Sequence, residues 1–306
     1  MGITRRTALS GLLTAGATAV GLKNASASTA VALPVPPADA VGLLYDTTLC
    51  IGCKTCVVAC QDANGLPRDP VGLGEQYDAP VDLNFRAKNV IKLYKSGLQE
   101  SFVKVQCMHC VDPACTSACM LGALQKREFG IVSYDPSLCV GCRYCEVACP
   151  YNVPKFQWSS ATPKIVKCEL CRHRLAVGQE PACSEVCPRH AVIFGKRADL
   201  LKEAKRRLAE TPGKYVPKIY GETDGGGTQV LYLSHVPFEK LGFPTLGDEP
   251  APTLARSIQH GVYRGFAAPA ALYAALGLVM LRNRRSSDKP VPPADGHQEK
   301  PDDRTR

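Results

Sequence analysis

"LCIGCKTCVVAC", residues 49–60, carries Cys50, Cys53, Cys56 and Cys60, and it nearly recurs as "LCVGCRYCEVAC" at 138–149, with Cys139, Cys142, Cys145 and Cys149. Two looser versions complete the set. "CMHCVDPACTSAC" holds Cys107, Cys110, Cys115 and Cys119, and "CELCRHRLAVGQEPACSEVC" holds Cys168, Cys171, Cys183 and Cys187. These four groups use all 16 cysteines of the 306-residue chain and form its internal repeat. Three thiolates two residues apart suit a tight loop that wraps one iron-sulfur core, while the fourth, after a three-residue gap, falls on a following helix and ligates a neighbouring core. Pro150 and Pro188 follow the last cysteines of the third and fourth groups, as in bacterial ferredoxins. At four thiolates per centre, the chain is expected to hold four 4Fe-4S clusters with no ligand left over.

Two rival chemistries fit less well. A structural zinc takes four ligands and favours two separated pairs, so a run of three close cysteines wastes one. An even cysteine count in an exported chain normally signals disulfides. Here the close repeated spacing would demand pairing among near neighbours. Which fourth cysteine serves which core stays open on spacing, because the second and third groups are about as far apart as the third and fourth.

Composition points the same way. Aromatic residues make up 7%, with 26 Gly and 24 Pro, so many turns must be held by something other than side-chain packing. The net charge of +9 is a modest excess, and no basic stripe interleaved with aromatics suggests a nucleic-acid binder. There is no Ser/His/Asp or paired-carboxylate constellation that would suggest a catalyst in its own right.

Both ends read as addresses. "ITRRTALSGLLTAGATAVGLKNASAS" joins Arg5 and Arg6 to a mildly apolar stretch and an Ala25-Ser26-Ala27 cleavage form, a pattern that resembles a twin-arginine export signal. That route carries folded proteins, so metal centres can be installed before export. "VYRGFAAPAALYAALGLVML", Val262 to Leu281, has one charge, and 20 helical residues at ~1.5 Å each span ~30 Å, the thickness of a bilayer core. Arg282, Arg284 and Arg285 follow, which by the positive-inside rule puts the C-terminus in the cytoplasm.

Between the ends, "NVIKLYKSGLQESFVKVQ" alternates as a hairpin turning near Gly97, "GALQKREFGIVSYDPSLC" reads as strand, turn, strand, and "AVIFG" as a closing strand. Ala198 to Glu210 has helical periodicity through Leu200, Ala204 and Leu208. The organisation expected is a signal peptide at 1–27, a Pro-rich linker at 28–44, a four-cluster ferredoxin-like domain at 45–200, a C-terminal extension at 201–256, a transmembrane helix at 262–281 and a cytoplasmic tail at 282–306. The fold class is α+β: tandem bacterial ferredoxin-like 4Fe-4S domains with a C-terminal transmembrane helix.

The four groups resemble those of the four-cluster ferredoxin-like subunits of the dimethyl sulfoxide reductase group. That resemblance implies a nested pairing of motifs one with four and two with three. The implied ligand sets are Cys50, Cys53, Cys56 with Cys187; Cys168, Cys171, Cys183 with Cys60; Cys107, Cys110, Cys115 with Cys149; and Cys139, Cys142, Cys145 with Cys119. "GLLYDTTLCIGC", "QCMHCVDPAC", "GCRYCEVACPYNVPK", "YGETDGGGTQVLYL" and "SIQHGVYRG" extend the likeness toward iron-sulfur subunits of the hydrogenase 2 type. This implies a periplasmic electron-transfer subunit at the inner membrane, between the small and large subunits of a NiFe hydrogenase and an integral membrane quinone-reactive subunit. The same module serves molybdopterin oxidoreductases, which is the alternative. His109, inside "CMHC", is expected to pack or to hydrogen-bond a sulfide rather than replace a thiolate.

Overall fold

Strand β1, Val41–Asp46, is apolar without alternation, the pattern of a strand covered on both faces. Leu43, Leu44, Tyr45 and Asp46 are all buried. A computed structural model describes residues 35–68, 80–160 and 163–287; the expected signal peptide, the start of the linker and residues 288–306 of the tail lie outside the described residues. Residues 41–44, which composition assigns to the Pro-rich linker, belong to this strand.

β1 is the centre of a three-stranded sheet. It pairs antiparallel with β8, Val192–Lys196, and parallel with β9, Val230–Leu233, so that Leu43 lies opposite Phe194 on one side and Val230 on the other. Gly42 is required here: a Cβ on it would stand 1.9 Å from the Gln229 carbonyl oxygen. Helix α6, Arg197–Glu210, lays Leu200 and Ala204 on one sheet face against Leu44, Ile219, Leu231 and Leu233. Each fully buried Leu or Ile there contributes about 1.5–3 kcal/mol.

The chain between β1 and β8 carries the four cysteine groups on short elements. Helix α1 spans Thr55–Ala63, and the hairpin β2, Asn89–Ser96, with β3, Gln99–Gln106, turns at Gly97 as the alternation predicts. Helix α2 is Ala114–Ser117; β4, Leu124–Lys126, and β5, Val132–Tyr134, form the second hairpin; α3 is Tyr144–Ala148. Then come the two-residue strands β6, Lys155–Phe156, and β7, Ile165–Val166, and helices α4, Arg172–Leu175, and α5, Ala182–Glu185. Helix α1 packs on α5, and α2 on α3. The motif helices thus meet one with four and two with three.

Asp46 closes β1 as a fully buried carboxylate. It accepts hydrogen bonds from Arg207 Nη1 at 3.0 Å, Tyr215 Oη at 2.9 Å, and Thr48 N at 3.0 Å and Oγ1 at 2.6 Å. Removing it takes one of the two carboxylates from a largely buried guanidinium, which keeps Glu203 at 2.8 Å, and leaves the Tyr215 hydroxyl without its acceptor, so Asp46→Ala is expected to cost roughly 2–4 kcal/mol, measured by chemical denaturation. Lys202→Ala, which breaks an exposed pair with Asp199, should cost less than about 0.5 kcal/mol.

The second unit, from Leu254 onward, is described on its own. Helix α7, Thr253–Ser287, runs 35 residues with Pro269 inside it. The expected transmembrane helix is corrected here: among the described residues, no helix is long and apolar enough to cross a membrane. The helix does not confine itself to the apolar run of 262–281, but takes in Arg256 before it and Arg282 and Arg284 after it, with Arg264 inside. It also absorbs residues 282–287 of the expected tail.

Candidate metal centres

Each cysteine loop must reverse direction within a few residues, and left-handed backbone does this. Gly52 and Lys54 in the first group have φ of 71° and 55°, and Gly141 and Arg143, at the equivalent places in the third, have 73° and 65°. His109 does so in the second group, and Leu170 and Cys171 in the fourth. These turns point peptide N–H groups back at sulfur. Gly52 N donates to Cys50 Sγ at 3.5 Å and Leu170 N to Cys168 Sγ at 3.3 Å. The Thr55 hydroxyl donates to Cys53 Sγ at 3.3 Å. At Gly52 the space is also limiting, since a Cβ would fall 2.3 Å from the Phe102 ring.

All 16 predicted cysteines are described and all carry free thiols. They gather across motifs. Cys50 is flanked by Cys187 and Cys53, and these three line one cavity with Cys56. Cys60, from the first group, is flanked by Cys183 and Cys171, and Cys168 by Cys60 and Cys183. Cys110 stands among Cys107, Cys149 and Cys115. Cys145 stands among Cys119, Cys139 and Cys142. The four neighbourhoods also adjoin in sequence: Cys56 shares a hydrophobic cluster with Cys183, Cys168 with Cys107, and Cys115 with Cys145. Among the described residues, no three or more His, Cys, Asp or Glu converge on a point that would hold one metal ion. Thiolates that bind different irons of one core need not converge in that way.

Burial dominates the thiols. It pushes Cys56, Cys60, Cys115 and Cys145 up to about 12, and Cys110 and Cys168 well above the ordinary thiol range. Neighbouring thiolates add to this, because like charges oppose one another. Such groups become thiolates only when a cationic core binds them, so binding is accompanied by proton release. Backbone N–H groups of Val153, Tyr151 and Asn152 act the other way on Cys149, where burial still holds the thiol above its usual value.

The charges that sit beside these sulfurs escape sequence reading. Lys104 is fully buried on β3; burial opposes its charge, but Cys183, Cys56, Cys168 and Cys60 outweigh it and hold the amine above the ordinary lysine range. Lys167, also buried, donates to the carbonyls of Val132 and Cys168. Lys126 donates to the Cys110 carbonyl at 2.5 Å, and burial brings it down to about 8. Strand alternation gives no sign that a lysine points inward, so nothing in the pattern could have marked them.

His109 is buried. Its Nδ1 accepts from Val132 N at 3.1 Å, and burial, with Lys167 and Lys126 nearby, drives it well below the usual histidine range. The neutral ring therefore carries its proton on Nε2, which has no hydrogen-bond partner. An orphaned buried donor within a cysteine loop suits an acceptor such as inorganic sulfide. Together with four groups of free thiols, eight of the 16 buried, it fits the 4Fe-4S group. Trp158 is exposed and stacks under the Arg143 guanidinium at 3.8 Å.

Comparison with known proteins agrees with the donor set. The 4Fe-4S dicluster domain family matches residues 49–124 and again 98–197. The hydrogenase-2 operon protein HybA of Escherichia coli O157:H7 is 44% identical, over 83% of this chain and 87% of that protein. The iron-sulfur subunit of nitrate-inducible formate dehydrogenase of Escherichia coli (strain K12) is 34% identical, over 78% of this chain and 83% of that one. The formate dehydrogenase-O iron-sulfur subunit of the same strain is 38% identical, over 66% and 70%.

Proposed function

Because the chain belongs to the family of the hydrogenase-2 operon protein HybA and carries two 4Fe-4S dicluster domains, we propose that it is the electron-transfer subunit joining a NiFe hydrogenase to an integral membrane quinone-reactive subunit. It is an electron-transfer subunit of an oxidoreductase complex and not an enzyme by itself. A bound 4Fe-4S cluster supplies one-electron chemistry. The protein supplies the thiolates, in the sets Cys50, Cys53, Cys56, Cys187; Cys60, Cys168, Cys171, Cys183; Cys107, Cys110, Cys115, Cys149; and Cys119, Cys139, Cys142, Cys145. The observation that carries this assignment is the gathering of each of Cys60, Cys149 and Cys187 with thiols of a different motif. Peptide N–H groups hold the sulfurs in orientation, and the buried surroundings exclude water.

The three junctions Cys56–Cys183, Cys168–Cys107 and Cys115–Cys145 support a single file of sites with two ends. Cys53 at one end and Cys142 at the other are exposed. Each end is accordingly the place where a redox partner comes close. The Arg5-Arg6 leader supports export in the folded state to the periplasm. Helix α7, whose Leu254, Ile258, Phe266, Leu272 and Leu278 are exposed, supports association with the membrane side of the complex. A molybdopterin oxidoreductase partner is the second reading, favoured by the likeness to formate dehydrogenase subunits.

Purification of the tagged full chain from membranes of its host tests both readings. Co-purifying nickel, with reduction of the iron-sulfur signals by hydrogen gas, is the expected result. Molybdenum with no nickel, and reduction by formate instead, would overturn the hydrogenase assignment in favour of the second.

A further inference from the structure

Lys104 lies three residues before Cys107, near the end of β3, and is fully buried. Its Nζ donates to Gln106 Oε1, and its carbonyl accepts from the Tyr232 hydroxyl at 2.8 Å, which fixes the backbone that carries it. Among the described residues no carboxylate forms an ion pair with it. The other buried lysine near the cysteines, Lys167, instead donates to two backbone carbonyls. A buried ammonium with a single neutral acceptor is strongly unfavourable unless an anion faces it. Lys104 pairs across the hairpin with Ile91 and holds Tyr232 through its carbonyl, and both of these residues pack in one cluster with Cys56 and Cys183; Cys183, Cys168 and Cys60 of one set and Cys56 of the adjoining set are the groups that favour its charge once they are thiolates. The charge therefore stands at the junction between two sites, with three of these four thiols belonging to the set of Cys60, Cys168, Cys171 and Cys183.

We propose that Lys104 is a positioning charge that raises the reduction potential of the adjoining pair of clusters, most of all the one held by Cys60, Cys168, Cys171 and Cys183. Adding an electron there adds negative charge beside a fixed buried cation, and in a low-dielectric interior that interaction is little screened. The pair then becomes the place where electrons rest within the file. Tuning by nearby charge is an ordinary lever on iron-sulfur potentials, but no feature of the cysteine spacing assigns it to this residue. The inference rests on the ligand sets proposed above.

The test is a potentiometric titration, followed by electron paramagnetic resonance, of the purified complex carrying wild-type chain, Lys104→Met, Lys104→Gln or Lys104→Arg. In the neutral variants the reduced-to-oxidised ratio of one or two clusters should fall on the order of tenfold at fixed potential, which is about 59 mV for a one-electron couple. The remaining clusters and the Arg variant should stay at wild-type values. Loss of those two clusters from both neutral variants with retention in the Arg variant would also support the proposal, since the charge is then needed to gather the thiolates. Four unshifted potentials, an equal shift of all four, or loss of clusters in all three variants would overturn it. Wild-type protein with fewer than four clusters would instead sink the ligand sets themselves, which separates the two failures.

Discussion

Anaerobic removal of iron with a strong chelator is expected to unfold the part of the chain between the first and last cysteine groups while leaving the β8–β1–β9 sheet as its most persistent remnant. Two of the hydrophobic clusters explain this. One packs Leu124, Val132, Phe156 and Ile165 around Cys115, Cys145, Cys119 and Cys139, and another gathers Leu83, Val90 and Val153 around Cys107, Cys168 and Cys149. Cysteines are thus part of the packing of both cores. The helices there run four, five or nine residues, well short of the roughly 12–15 at which an isolated helix approaches stability. One face of the sheet is packed with α6 by Leu44, Leu200, Ile219, Leu231 and Leu233 without a cysteine among them, whereas Leu43, Tyr45, Val192 and Val230 pack in a cluster with Cys56 and Cys183. Hydrogen exchange before and after chelation reads the outcome residue by residue. Collapse of protection at 107–187, with slower loss at Leu44 and Leu231, is expected. Unchanged protection throughout would mean that the metal is a passenger in a fold that stands by itself.

Cys187→Ser should remove the cluster whose other three ligands are Cys50, Cys53 and Cys56, 131 to 137 residues away, and spare the one served by its own motif neighbours Cys168, Cys171 and Cys183. About one quarter of the iron should go, one cluster in four. Because that site lies at one end of the file, electron exchange with the partner at that end should fail while the other three clusters still titrate. The structural ground is the cavity shared by Cys50, Cys53, Cys56 and Cys187, and the packing of α1 on α5. Cluster-resolved resonance spectra of the variant, with iron analysis, decide the matter. Loss of the cluster beside Cys168 instead would reverse the crosswise assignment.

The cysteine groups, the hairpin at Gly97, the closing strand and α6 were all legible in the sequence, because each carries a local period or a local spacing. The partner of each fourth cysteine was not, since equal gaps between motifs two, three and four leave spacing silent. It came only with the family likeness and with the meeting of α1 and α5. The pairing of β9 with β1 was equally hidden, because a parallel contact across nearly 190 residues leaves no local trace. The inward turn of Lys104 contradicts what a lysine in an alternating strand suggests, and only the sulfurs gathered around it give the reason. The C-terminal helix shows the opposite error. Its apolar run reads clearly, but the helix that forms is longer than the run and takes charged residues with it.

The central strand precedes the four cysteine groups, yet both of its neighbours come after them. A ribosome releases Leu43 and Leu44 long before Val192, and Val192 before Val230, so during translation the earliest core residues wait without shelter for most of the synthesis. The same delay separates Cys50 from Cys187. Maturation is therefore stepwise in chain length: a nascent polypeptide halted before residue 187 has neither a finished sheet nor a closed first site, and one halted before residue 230 still lacks β9. Quality control could tell such a product from the complete one by its exposed strand alone.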